Sequence, residues 1–435
     1  MTADNKAKLA LAFQCLADGK PADAQRVATA VLKRAPRDAQ ALYLLGMSFC
    51  FTRRYADAID ALRQATALDA DNVQALYNLG VAHGEIRQHH EAIAVYRMTL
   101  DKDPGHIFSL HNLGMELVNT GQLAEAIPHL RRVQELCPTH AMVTDNLVRA
   151  ECRLLPMDNW PALCTQALAV SPVSAENRYI ILIQRAMAEW ATGDMPSLSA
   201  TLAAAADARP EAKNARIENT LRYEDFLNKL LIYRHAHPHL YADAAQPLFL
   251  VGDSHSLSYA GSLLTLDGVA RKISSHLIVG AKAWHISSGI PNPYAMALST
   301  HVNRLPAGAS LICAFGEIDC RPDDGILPYW KKTGGALQAI VAEQVTRYIA
   351  ALTACASGQA LRLIFLSVPA PHQINRDSRD VTALFNAALE KHVLTAGHRY
   401  VDLYKITLGN DKCSHGELNI DAVHLKPEAL TAALG

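Results

Sequence analysis

The pattern of apolar and polar positions changes character along the chain. Up to about residue 210 it is helical and repeats itself. Three segments align, "ALYLLG" at 41–46, "ALYNLG" at 75–80 and "SLHNLG" at 109–114, each 34 residues from the next. A second set keeps the same step: Ala58-Ile59, Ala92-Ile93 and Ala126-Ile127. Pro36, Pro104 and Pro138 fall on the repeat boundaries, with Ala70 in the remaining place. Small residues at two fixed positions let paired helices approach closely, and a boundary proline ends the second of the pair. One such pair cannot bury its apolar face alone, so the units must stack.

This pattern resembles the tetratricopeptide repeat. Units at 39–72, 73–106 and 107–140 match well, and a weaker one fits 5–38. "DNLV" at 145–148 starts another, and the helical stretches beyond it read as degenerate pairs capping an all-α superhelix over residues 1–210. Asn78, Asn112 and Asn146 occupy one repeat position on successive first helices; Leu44 interrupts the series one unit earlier. The resemblance implies that this helix lines a concave groove, where an amide can donate to one backbone carbonyl of an extended peptide and accept from an N–H. A protein or peptide in that groove is the expected partner. The plainer reading is a solvated consensus asparagine.

Residues 211–246 read as a connecting helix followed by a turn-rich linker. His235, His237 and His239 alternate there around Pro238, without a nearby thiol or carboxylate to complete a metal shell, so a solvated linker is expected and no metal site.

From 247 onward, short apolar or β-branched runs alternate with helical stretches. Strands are expected at 247–251, 274–280, 309–316, 361–369 and 398–403, with helices at 336–356 and 380–397 among them. Continuous apolar strands separated by helices predict a parallel sheet covered on both faces. Ligands of such sheets sit beyond the carboxyl ends of the strands, where Asp253-Ser254-His255, Glu317, Asp319 and His372 cluster. Ser254 stands at a strand-to-helix turn and is either a helix cap or a nucleophile in need of a base. Asp421 and His424, three apart in the loop after the last strand, supply one: the carboxylate can hold Nδ1 and turn Nε2 outward.

Together these blocks resemble the SGNH (GDSL-type) hydrolases over 247–435, with Gly252-Asp253-Ser254 as the first block and Asp421-x-x-His424 as the last. The resemblance implies a three-layer, flavodoxin-like α/β domain. It also implies Ser254 as nucleophile, His424 as base, Asp421 as its orienting carboxylate and Gly280 as an oxyanion residue. Ser256 stands where a nucleophile elbow requires glycine, which argues against the α/β-hydrolase fold. The third block departs from the family: Gly316-Glu317-Ile318-Asp319 puts isoleucine in place of the oxyanion asparagine, a donor whose removal costs about 3–4 kcal/mol. Arg321 either serves the oxyanion or substrate or pairs with Glu317 or Asp319. His255 is expected to point away from the nucleophile, and Cys320 to be a small buried residue.

Charge and composition narrow the setting. The formal net charge is −1, with no basic field for nucleic acid. No stretch reaches the roughly 18 apolar residues of a membrane span, and the N-terminus carries no export-type apolar segment, so a cytoplasmic protein is expected. The nine cysteines are scattered without a Cys-x-x-Cys, as for reduced thiols. The expected activity is a cofactor-independent serine esterase removing O-acyl groups, such as acetyl, from a carbohydrate or glycoconjugate. An O-acyltransferase of glycan or polysaccharide biosynthesis is the first alternative. A scaffold without chemistry is the second.

Overall fold

A computed structural model describes residues 3–138, 143–169, 173–242, 246–371, 376–409 and 413–434. Contacts divide the chain into two compact units, Met1–Leu147 and Val148–Gly435. In the first, helices run in antiparallel pairs: α1 (Ala3–Ala17) with α2 (Pro21–Leu32), α3 (Ala39–Phe51) with α4 (Tyr55–Leu68), α5 (Val73–Glu85) with α6 (His89–Lys102), and α7 (Ile107–Asn119) with α8 (Leu123–Leu136). The 34-residue period reappears as physical devices. Asp38, Asn72 and His106 cap α3, α5 and α7, each accepting the backbone N–H three residues on. Gly46, Gly80 and Gly114 sit where a Cβ would come within 2.5–2.7 Å of Leu62, Tyr96 and Leu130 on the partner helix. Ala58, Ala92 and Ala126, fully buried, complete the close approach.

Helix α9 (Val143–Leu154) spans the division, and α10 (Trp160–Ala169), α11 (Ala175–Thr192), α12 (Met195–Asp207) and α13 (Ala215–Ala236) follow. Helices α10 to α13 fall in the second unit. Tyr179, Ile181 and Trp190 of α11 and Phe226, Leu227 and Leu230 of α13 share one core with Leu257, Ala260 and Leu277. The Trp190 indole donates to the Leu257 carbonyl at 2.8 Å. The unit boundary therefore lies at 147/148 and not at 210, because the apolar faces of α11 and α13 are buried against the sheet-containing unit.

The second unit holds a mixed six-stranded sheet among the described residues, in the order β2-β3-β1-β4-β5-β6. The strands are β1 (Gln246–Gly252), β2 (Leu263–Leu266), β3 (Val269–Leu277), β4 (Ser310–Ala314), β5 (Arg362–Leu366) and β6 (Arg399–Val401). All pair in parallel except the edge pair β2–β3, where Leu264 stands opposite Arg271. The all-parallel expectation missed this hairpin. Its turn, Asp267-Gly268, has positive φ at both residues (53° and 75°), the geometry favoured by an Asp-Gly pair between twisted strands.

Both faces of the sheet are covered. Val251, Leu311, Cys313 and Phe365 pack with α16 (Pro293–Val302), α18 (Leu337–Ser357) and α19 (Arg376–Thr395). Leu248, Leu250, Ile312, Ile364 and Leu366 pack with α20 (Leu403–Thr407) and α21 (Glu428–Leu434). Shorter helices α14 (His255–Tyr259), α15 (Ala283–Ser287) and α17 (Ile326–Thr333) lie in the loops beyond the strands. No described helix is long and apolar enough to cross a membrane.

Candidate active site

Gly252, the last residue of β1, lies close against β4: a Cβ there would lie 2.6 Å from the Ala314 carbonyl oxygen. The chain then turns into α14. Ser254 holds the N-cap position of that helix with helical dihedrals (φ −55°, ψ −25°), and its side chain makes no cap hydrogen bond. Its Oγ lies 3.0 Å from His424 Nε2. His424 Nδ1 in turn donates to Asp421 Oδ2 at 2.8 Å, and Asp421 Oδ1 accepts the backbone N–H groups of Val423 (2.8 Å) and His424 (2.7 Å). The alternative of Ser254 as a plain cap is thus not what the geometry shows. Residues 170 apart in sequence form one relay with the proton placed on Nδ1.

The electrostatics suit that relay. Burial raises the Asp421 carboxyl, but the hydrogen bonds from His424 and the charge attraction outweigh it and hold it well below the usual carboxylate range. His424 is pushed below the ordinary histidine value, first by burial and then by the neighbouring charge of His255, against the opposing pull of Asp421. It is therefore neutral and able to accept a proton near neutrality.

His255 points away from the Ser254 hydroxyl, as expected, and does something the sequence did not reveal. Nδ1 donates to Asp253 Oδ1 at 3.0 Å, and Nε2 donates to the Val423 carbonyl at 3.1 Å. Burial disfavours its charge, yet Asp253 and then Glu317 outweigh burial and raise it to about 9. This imidazolium ties the Ser254 turn to the loop carrying His424. Asp253 also accepts the His255 backbone N–H at 3.0 Å and is 1% exposed, so it braces the turn from beneath. Asp253, His255 and Glu317 have donor atoms within 4.8 Å of one another, but both ring nitrogens of His255 already donate, which leaves no lone pair for an ion.

Ser254, His424 and Asp421 line a cleft of about 670 Å³, together with Gly280, Glu317, Ile318 and Arg321. Gly280 has φ +71°, a left-handed conformation costly for any other residue. Arg321 is committed to Glu317: Nε donates to both carboxylate oxygens (3.0 and 2.9 Å) and Nη2 to Oε2 (2.6 Å). Asp319 is not part of the cleft. It is fully buried and accepts the N–H groups of Ala283 (2.7 Å) and Trp284 (3.1 Å) at the start of α15, plus the Gln344 amide at 2.5 Å. Its carboxyl is raised to about 6 by burial, against those bonds. Cys320 is buried, and burial pushes its thiol well above the ordinary range, in keeping with a packing role. His372 lies outside the described residues.

Helix α13, expected as a mere connector, supplies two residues to the site. The Phe226 ring stacks on the His424 imidazole with centroids 3.7 Å apart and planes 15° from parallel. Tyr223, one turn earlier, lines the cleft and its hydroxyl interacts with that of Ser254. The signal was the spacing of Tyr223, Phe226, Leu227 and Leu230, an apolar stripe. At the end of this helix His235 and His237 bond the carbonyls of Leu231 (2.8 Å) and Tyr233 (3.0 Å), and among the described residues they join no metal-ligand group.

In the repeats, the asparagine series is not an open ladder. Asn146 is 4% exposed and donates to His111 Nε2 at 3.1 Å. His111 Nδ1 donates to Asn112 Oδ1 at 3.3 Å, and Asn112 Nδ2 donates to the Tyr96 hydroxyl at 3.2 Å. Asn78 turns its amide to the Gln74 carbonyl at 2.8 Å. More open is an aromatic group that the sequence did not single out: Tyr77, His106 and Phe108, the last 59% exposed, with Tyr77 centroids 5.1 and 6.1 Å from the other two.

Comparison with curated proteins gives no match. Among solved structures, MamA residues 41-end from Desulfovibrio magneticus RS-1 is 20% identical, with 39% of this chain and 96% of that one covered at a TM-score of 0.36. YrrB, described as a TPR protein with an unusual peptide-binding site, is 20% identical over 38% of this chain and 85% of its own, with a TM-score of 0.34. The first TPR of Spaghetti, bound to an HSP90 peptide, is 20% identical over 26% of this chain and 90% of its own, with a TM-score of 0.26. Tetratricopeptide-repeat family models match residues 16–50, 51–107 and 109–140. The family models speak for the repeats alone. Residues 16–140 form a run of tetratricopeptide repeats.

Proposed function

We propose that the second unit is a serine acyl-ester hydrolase of SGNH (GDSL) type and that the repeats dock the protein that carries or delivers its substrate. The observation that carries this reading is the continuous relay Ser254 Oγ–His424 Nε2 (3.0 Å) and His424 Nδ1–Asp421 Oδ2 (2.8 Å) at the wall of one cleft. Ser254 Oγ attacks the acyl carbon as His424 Nε2 takes its proton; Asp421 stabilises the resulting imidazolium. Collapse expels the alcohol, which recovers the proton, and water repeats the cycle on the acyl-enzyme. The backbone N–H groups of Ser254 and Gly280 are the proposed oxyanion donors. No step calls for a metal or cofactor. The SGNH resemblance adds O-acyl, above all acetyl, groups of a carbohydrate or glycoconjugate as the substrate class. A sugar hydroxyl in place of water would make the same site an O-acyltransferase.

A second reading is favoured by the repeats and by Ile318, which stands where the SGNH pattern has an asparagine donor: a binding platform without chemistry. One experiment separates the two. A serine-directed fluorophosphonate should label the wild-type protein at Ser254, and Ser254→Ala and His424→Ala should abolish labelling and p-nitrophenyl acetate turnover with the circular dichroism spectrum unchanged. An unlabelled, inert wild type favours the platform. Product analysis with and without an acceptor sugar then separates hydrolysis from transfer.

A further inference from the structure

An ester-cleaving serine needs donors for the oxyanion it creates, because charge developing in a dry cleft is costly unless hydrogen bonds already point at it. Several side chains of the cleft can be weighed for that part. Ile318 is apolar. Arg321 is held in a bidentate pair with Glu317 at 2.6–3.0 Å. His255 uses both ring nitrogens on Asp253 and the Val423 carbonyl. Asn219, Arg222 and Lys229 line the cleft too, but Tyr223, which lines it with Ser254, Gly280 and Ile318, is the residue whose hydroxyl interacts with the Ser254 hydroxyl. Its position is fixed from below, since Phe226, one turn on, is buried against His424 and Leu227 and Leu230 lie in the core.

Resting on the hydrolase reading above, we infer that the Tyr223 hydroxyl is an oxyanion donor in this site, taking over from α13 the role that the apolar Ile318 cannot fill. As Ser254 Oγ forms its bond to the acyl carbon, its proton passes to His424 Nε2 and the carbonyl π pair moves onto the carbonyl oxygen. That oxygen, bonded to the same carbon as Oγ, comes within reach of a donor already beside Oγ. The phenol donates a hydrogen bond and keeps its proton throughout. When the intermediate collapses, the electron pair returns to the carbonyl and the leaving alkoxide takes the proton from His424. Burial, then the Asp253 charge, raise the Tyr223 phenol above its ordinary value, so it stays a donor across the working pH range.

The test is Tyr223→Phe, which removes one oxygen and keeps the ring. With p-nitrophenyl acetate, kcat is expected to fall about 10²- to 10³-fold with KM within about threefold, the size of a lost oxyanion donor. A trifluoromethyl ketone, which adds to Ser254 as a tetrahedral oxyanion, should lose affinity by a similar factor, while acetate inhibition stays unchanged. A purely structural tyrosine would instead weaken KM, product binding and thermal stability together. Turnover within threefold of wild type in Tyr223→Phe, with Ser254→Ala inert, overturns the inference and leaves the hydrolase reading standing. A wild type that is itself inert overturns both.

Discussion

The Phe226 ring lies flat on the His424 imidazole, centroids 3.7 Å apart. A helix that precedes the sheet thus holds the proposed general base against the carboxylate and serine it must bridge. Stacking of this kind is worth about 0.5–1.5 kcal/mol beyond the area it buries. Phe226→Leu keeps an apolar side chain in place and removes the flat surface. It should lower kcat about 2- to 10-fold while costing about 1 kcal/mol in urea unfolding. Phe226→Ala should cost about 3–5 kcal/mol. Wild-type turnover in a folded Phe226→Leu protein would mean that Asp421 alone orients the ring.

His255 is expected to set the acid limb of the pH–rate profile. A base works when neutral, so activity should rise with pH through the His424 value, which burial and the His255 charge hold below the ordinary histidine range. His255→Asn removes that charge, leaves Asp253 unopposed beneath the site, and cuts the bond to the Val423 carbonyl. The acid limb should move to higher pH and kcat should fall. A limb that stays in place or moves to lower pH would show that the His255 charge is not felt at His424.

How much of this was legible in the sequence depends on the range of the interaction involved. The repeats were readable because a 34-residue step recurs in local signals: the glycines at 46, 80 and 114 and the alanines at 58, 92 and 126. The relay was readable because Asp421 and His424 are sequence neighbours and Ser254 follows a strand end. The Glu317–Arg321 pair was foreseen as one option, since an i, i+4 spacing favours it. That Asp319, expected in the strand-end cluster, stays out of the cleft was not legible because its partners, Ala283, Trp284 and Gln344, are 25 to 36 residues away. Tyr223 and Phe226 were visible as part of an apolar stripe, but a stripe does not say what covers it. The Asp267-Gly268 turn carried a hairpin signal that the four-residue strand β2 was too short to reinforce.

The placement of α11 and α13 predicts how the chain can be cut. A fragment starting at 246 lacks the side chains that cover Leu257, Ala260 and Leu277 and loses Tyr223 and Phe226 from the site. It should aggregate or unfold without cooperativity, and lack activity. A fragment of 148–435 keeps that core and should unfold in one transition with the small-ester turnover of the full chain. Cooperative unfolding of the shorter fragment, by urea titration followed with circular dichroism, would mean that α11 and α13 add little to the second unit.

The last prediction concerns acid. His276 on β3 and His301 on α16 face each other with ring centroids 5.3 Å apart. Burial first, and for His301 then its partner's charge, lowers them to about 4 and about 3. In the unfolded chain both titrate near 6.5. Below that value the unfolded state binds more protons than the folded one, so stability falls as pH drops from 6.5 towards 4 and is flat above 6.5 on their account. His255 behaves oppositely: raised to about 9, it contributes stability that is present below 6.5 and lost as pH rises through 9. By themselves these three groups place the maximum near pH 6.5, with the two buried imidazoles costing about 3 kcal/mol between pH 6.5 and 5 once their partial titration at 6.5 is counted; Asp319, raised to about 6, opposes them below that value. Urea titrations at pH 5, 6 and 7.5 measure this. A His276→Gln, His301→Leu double variant should flatten the acid slope. An undiminished slope in that variant would assign the acid sensitivity elsewhere, first to His285, which burial lowers to about 4, and then to His424.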